Sequence, residues 1–238
     1  MIKNLYPFAR DWSAYGSVWI LSDLHFNDPD CKLMDPNWIS PEEQVKRINN
    51  LCGINDTFIC LGDVGDLSFV KQLNAGTKIL IKGNHDSGTT NYLRSLTVNS
   101  ADTDEEAEEI VSKNKFNKNS KSRVSFLKST YILDNCLFDE VYSGPLFISD
   151  KIVLSHSPLN FGDDQDCFLN IHGHEHAYID RPNHINMAAN LNNYYPINLG
   201  RLIKNGSLKD IKNINKAVTA KAVEKRNNVT DSEDKAIE

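Results

Sequence analysis

Lys78-Ile79-Leu80-Ile81-Lys82-Gly83-Asn84-His85-Asp86 is a short apolar run that stops on a glycine and three side chains able to hold a metal or move a proton. Its length and branched aliphatic content are those of a buried strand. The same grammar recurs along the chain. Ser17 to Leu21 leads into Ser22-Asp23-Leu24-His25, and Thr57 to Leu61 into Gly62-Asp63. Lys151 to Leu154 leads into Ser155-His156, and Cys167 to Ile171 into His172-Gly173-His174-Glu175-His176. Five strands that each end in Asp, Asn or His predict one shared site, because α/β folds gather ligands at the carboxyl edge of their strands.

Helical punctuation lies between the runs. Ser40-Pro41-Glu42-Glu43 is a capping box with Pro at the first helical position, and Gly53 is the expected left-handed stop. Val45, Ile48 and Leu51 make the apolar stripe of that helix. A shorter helix is expected after Asp66, which caps it, with Leu67, Val70 and Leu73 inward and Gly76 at its end. Between Asp102 and Glu109 the chain carries six acidic residues, followed by Lys113, Lys115, Lys118, Lys121, Arg123 and Lys128. This predicts a surface insertion at about 100–128, helical in part, read as a solvated excursion rather than a substrate-binding arm. The polar tail, 215–238, lacks aromatics and is expected to stay outside the domain formed by 1–214.

The 238 residues carry a net charge of -6, which argues against broad affinity for nucleic acid. Five scattered cysteines without a C-x-x-C spacing fit free thiols in a reducing compartment. With no secretory signal and no long apolar stretch, the expectation is a cytoplasmic chain that does not enter a membrane.

Asp, Asn and neutral His offer oxygen and nitrogen donors without a thiolate. That set suits manganese, iron, zinc, nickel or cobalt, with manganese foremost, rather than calcium or a structural zinc. Two such cations sharing a carboxylate clamp both ends of an in-line phosphoryl displacement. Asp23-Leu24-His25, Gly62-Asp63, Gly83-Asn84-His85-Asp86, His156 and Gly173-His174-Glu175-His176 together resemble the calcineurin-like metallophosphoesterase family, in its compact bacterial and phage branch. The resemblance implies an αββα sandwich of four layers with two mixed β-sheets. It implies one metal held by Asp23, His25, Asp63 and His176, and a second held by Asp63, Asn84, His156 and His174. A metal-bound hydroxide would attack phosphorus, with His85 binding the phosphate and protonating the leaving group. Asp86 would orient His85.

The implied substrate is a small, nucleotide-like phosphate mono- or diester. A nuclease of the same chemistry and a non-catalytic protein-binding scaffold are the rival readings. The scaffold is disfavoured because Asn84, His85 and the other ligand positions are all present. Several neighbours have plainer readings. Asp28 and Asp30 are turn residues beside Pro29, and Glu175 faces away from the metals. His172 is a supporting donor or an ordinary buried side chain, and His184 has no functional case. Phe26, Trp38, Phe161 and Tyr195 are core or rim before they are substrate wall. Gly62, Gly83 and Gly173 let the backbone turn tightly beneath the metals.

Overall fold

The computed structural model describes residues 1–86 and 137–214, with the backbone of three strands at 97–98, 124–127 and 130–133. Three consecutive apolar runs set the architecture. β1 (Val18–Leu21), β2 (Thr57–Cys60) and β3 (Thr77–Ile81) lie side by side and parallel, in register Trp19 to Phe58 and Phe58 to Lys78. After three strands at the end of or beside the charged segment, β4 (Thr97–Val98), β5 (Val124–Leu127) and β6 (Thr130–Leu133), the chain returns as β7 (Glu140–Tyr142), parallel to β3. The last strand, β12 (Ile197–Asn198), closes the other edge antiparallel to β1. A second mixed sheet has the order β11 (His184–Asn186), β10 (Leu169–His172), β9 (Ile152–Leu154), β8 (Leu146–Phe147), parallel except at β8.

Alternation along the strands decides what each face meets. Val18, Ile20, Ile59, Leu61, Ile79 and Ile81 point from the first sheet toward Ile152, Leu154, Leu169 and Ile171 of the second, forming the core between the sheets. The opposite side chains, Trp19, Leu21, Phe58, Cys60 and Leu80, pack with Val45 and Ile48 of α3 (Pro41–Asn49). Each such fully buried side chain contributes roughly 1.5–3 kcal/mol. The α/β class read from the strand ends holds, and so do the two mixed sheets that the resemblance implied, with few helices. α1 (Pro7–Asp11) and α4 (Leu199–Lys204) feed Ala9, Leu199 and Leu202 into the inter-sheet core, while α2 (Cys31–Met34) is a single turn after the first ligand loop.

α3 starts as its capping box predicts, with Ser40 Oγ accepting the Glu43 N–H at 3.3 Å, but its end differs. The chain leaves the helix at Asn50 in a right-handed conformation, and Gly53 is not left-handed. Asp56 explains this. Its carboxylate accepts from Gly53 N, Ser17 N and Trp19 Nε1, so the turn is fixed by a side chain instead of a left-handed glycine. Leu51, beyond the helix, is 41% exposed and not part of its buried stripe. The segment after Asp66 is a 3₁₀ turn over Val70–Gln72, not an α-helix, although Val70 and Leu73 are buried as expected. Asp66 caps locally, its Oδ1 accepting the Ser68 N–H at 2.9 Å. Gly162–Cys167 is likewise a 3₁₀ turn, so β10 begins two residues later than the apolar run suggested.

The end of the charged insertion is extended: β5 pairs antiparallel with β6, and β6 with β4, in a small third sheet. The rest of that insertion, its expected helical part and the 215–238 tail lie outside the described residues. Cys31, Cys52, Cys60 and Cys167 are free and buried, and burial pushes the Cys31 and Cys52 thiols up to about 12. Among the described residues no helix is long and apolar enough to cross a membrane.

Candidate metal centre

Pairing between the first two strands continues past their ends and carries the ligands with it. Asp23 N donates to Gly62 O, His25 N to Asp63 O and Phe26 N to Val64 O, each at about 3 Å. To run on in this way the chain adopts φ of 57° at Asp23, 41° at His25 and 53° at Asp63, and His174 has φ 70°. Left-handed backbone at non-glycine residues costs roughly 1–3 kcal/mol each and concentrates where function demands it. Four of the seven expected ligands are held this way.

The side chains meet in two clusters. In the first, Asp23, His25 and His176 bring their donor atoms within 4.8 Å of one another. Asp23 is fully buried, and that burial holds its carboxyl above the usual range. One of its oxygens accepts the His174 N–H at 2.8 Å, while Oδ1, like His25 Nε2, is buried without a hydrogen-bond partner. His176 Nε2 lies 3.8 Å from that Oδ1. In the second cluster His156 Nδ1 lies 2.8 Å from Leu61 O, so the ring N–H is on Nδ1 and Nε2 carries the lone pair. That lone pair faces Asn84 Oδ1 at 2.8 Å, Asp63 Oδ2 at 3.2 Å and His174 Nδ1 at 3.2 Å.

Such a convergence of oxygen and nitrogen atoms suits a proton or a cation at its centre. Burial pushes the His156 imidazole down, but the Asp63 and Asp23 carboxylates outweigh it and hold it above its ordinary value. Burial likewise opposes ionisation of Asp63, yet the His156 hydrogen bond and charge keep it below the carboxylate range. Partnerless buried oxygen and nitrogen atoms in one cluster, and facing lone pairs in the other, fit divalent ions. Asp63 Oδ2 stands between the clusters, 3.2 Å from His156 Nε2 and 3.7 Å from His25 Nε2.

His85 lies beside the first cluster, its donor atom within 4.8 Å of those of His25 and Asp28. It is exposed, its ring lies edge-on to His25 at 5.1 Å, and its backbone N–H donates to Asp63 Oδ1 at 2.9 Å. Asp86 does not meet the expectation that it orients His85. Its two oxygens accept from Asp63 N, Val64 N and Gly83 N, fastening the Asp63 loop to the end of β3. The residue that sequence reasoning missed is Asp28. Besides capping its own turn through the Asp30 N–H, it lies 2.8 Å from His25 Nδ1. Burial opposes the ionisation of Asp28, but the Asp30 N–H and His25 prevail and keep its carboxyl low. An acidic residue three positions after a ligand His was the available signal.

A family profile for calcineurin-like phosphoesterases matches residues 16–178. The chain belongs to the calcineurin-like phosphoesterase family. Membership implies metal-dependent hydrolysis of phosphoesters, and among the described residues three groups could hold a metal: the two clusters, and His25 with Asp28 and His85. A crystal structure of a protein of unknown function from Aquifex aeolicus is similar, with TM-score 0.49 and 20% identity over 79% of this chain and 98% of that one. No curated protein sequence matches.

The remaining expectations divide. Glu175 pairs with Arg181, away from the clusters, as expected. His172 is buried with Nδ1 2.9 Å from Gly173 O, and His184 bridges Pro182 O and Leu159 O. Phe26 is core; buried Trp38 packs against the His25 and His176 rings; Tyr195 is an exposed rim residue beneath Arg47; Phe161 stacks on Phe168. Of the three glycines, only Gly62 has positive φ. Gly173 is needed for space: a Cβ there would overlap Ser22 Oγ and Asp23 Oδ2. Gly173→Ala is therefore expected to cost about 1–3 kcal/mol by overpacking and to displace Asp23. Thermal melts of the metal-free chain, with and without added manganese, check this; an unchanged metal-induced shift would contradict it.

Proposed function

We propose that the chain hydrolyses small, nucleotide-like phosphate mono- or diesters at a pair of divalent transition-metal ions, with manganese foremost. Asp23, His25, Asp63 and His176 would hold one ion and Asp63, Asn84, His156 and His174 the other. The observation that carries this reading is the position of Asp63 Oδ2, reached by a histidine nitrogen from each cluster. Bound ions supply Lewis acidity toward the phosphoryl oxygens and a nucleophile at neutral pH.

The chain's own residues supply positioning and the proton. Leu61 O sets the His156 tautomer with Nε2 inward, and Asn190, whose Oδ1 lies 3.4 Å from His176 Nδ1 while its Nδ2 donates to His176 O, steadies the His176 ring. Buried Trp38 packs against the His25 and His176 rings and backs them on one side. His85, exposed beside the first cluster, binds the phosphate and gives a proton to the leaving oxygen.

The test is one assay series with manganese, nickel or zinc against a chelated control. Its substrates are p-nitrophenyl phosphate, its bis-ester, a 2′,3′-cyclic nucleotide and single-stranded DNA. Metal-dependent cleavage of a small ester, above that of DNA, is expected. Preferential DNA cleavage would favour a nuclease, and no cleavage with any metal would contradict the enzymatic reading.

A further inference from the structure

Three histidine rings in the clusters have a partner that fixes which nitrogen faces inward, and the partners differ in kind. His156 leans on a backbone carbonyl and His176 on the neutral amide of Asn190. His25 leans on the carboxylate of Asp28, at 2.8 Å. His25 is 3% exposed and its other nitrogen, Nε2, is buried without a partner. An imidazole in the free state favours the proton on Nε2, which would aim an N–H at the position an ion must occupy. A carboxylate on Nδ1 reverses that preference, because it can only accept.

The turn that puts Asp28 there is built for it. His25 and Asn27 both have positive φ, at 41° and 58°, which curls the chain back on itself within three residues. Asp28 Oδ1 is engaged by the Asp30 N–H at 2.9 Å, which leaves Oδ2 aimed at the ring. A nitrogen of His85 also falls within 4.8 Å of the Asp28 carboxylate and of His25. One carboxylate therefore touches a ligand ring and faces the ring outside the ligand set.

We infer that Asp28 is the positioning residue of this site, holding His25 as the Nδ1–H tautomer with Nε2 free for an ion and keeping His85 alongside. This rests on the reading that Asp23, His25 and His176 hold an ion.

The experiment compares the wild-type chain with Asp28→Ala, using long-range ¹H–¹⁵N NMR of the histidine rings in the metal-free protein and Mn²⁺ titration followed by EPR. In the wild type His25 is expected to carry its proton on Nδ1. In Asp28→Ala the proton should move to Nε2, and Mn²⁺ affinity at one of two positions should fall about 10- to 100-fold. At saturating Mn²⁺ the variant should lose kcat and raise KM, because His85, which binds the phosphate and gives the proton, is no longer held. A purely structural role for Asp28 would not move the tautomer. Should circular dichroism show Asp28→Ala unfolded, Asp28→Asn takes its place with the same expectation, since its Oδ1 can keep the Asp30 contact and so turn toward Nδ1 the Nδ2 amino group, which only donates. An unchanged tautomer and affinity in the folded variant, with wild-type Mn²⁺ binding intact, overturns this inference alone. A third Mn²⁺ in the wild type that the variant lacks overturns it by making Asp28 a ligand. Failure of the wild type to bind any divalent ion sinks both this inference and the reading beneath it.

Discussion

Asp63→Ala is expected to abolish tight binding of both ions together and to lower kcat/KM by roughly 10⁴-fold or more, several kcal/mol of transition-state stabilisation. The reason is positional. Among the described residues Asp63 Oδ2 is the one carboxylate oxygen close to a histidine nitrogen of each cluster, at 3.2 and 3.7 Å. Removing it leaves the His156 and His25 nitrogens without the anion that both face. The variant should still fold, because the loop is held by the Asp63 and Val64 N–H groups on Asp86, which the substitution keeps. Asp63 has φ 53°, so Asp63→Asn is the gentler companion; Asn tolerates left-handed backbone while removing the charge. Metal analysis after dialysis reads the outcome. Two tightly retained ions in Asp63→Ala would refute the shared position.

His85→Ala should behave in the opposite way, keeping both ions and losing about 10²- to 10⁴-fold in kcat, the usual contribution of a positioned acid. The side chain is exposed, and the hydrogen bond from His85 to Asp63 Oδ1 is made by its backbone N–H. Alanine preserves that bond. The loss should be smaller for an ester whose leaving group needs no proton, such as p-nitrophenyl phosphate, than for an alkyl ester. Equal losses on both, or loss of the ions, would contradict the assigned role.

The sequence made the site's composition legible because strand ends are periodic and local. Apolar runs announce β1, β2, β3, β9 and β10, and the polar residues after each fall at one edge. What it hid were roles decided by side-chain direction. Asp86 follows His85 in the chain, yet it reaches back across the turn to the Asp63 loop, where three N–H groups outcompete one imidazole. Asp28 looked like a turn residue and is one, but a carboxylate has two oxygens and the second serves His25. The end of α3 was misplaced for a similar reason, since the Asp56 side chain, distant in sequence from Ser17, does the work expected of Gly53. Short strands such as β8 and β12, two residues each, carry too little pattern to be read at all.

The most direct test is anomalous diffraction from crystals grown with Mn²⁺. Two peaks are predicted about 3.5–4 Å apart, with Asp63 touching both, Asp23, His25 and His176 around one, and Asn84, His156 and His174 around the other. A single peak, or two peaks that do not share Asp63, would contradict the dinuclear account.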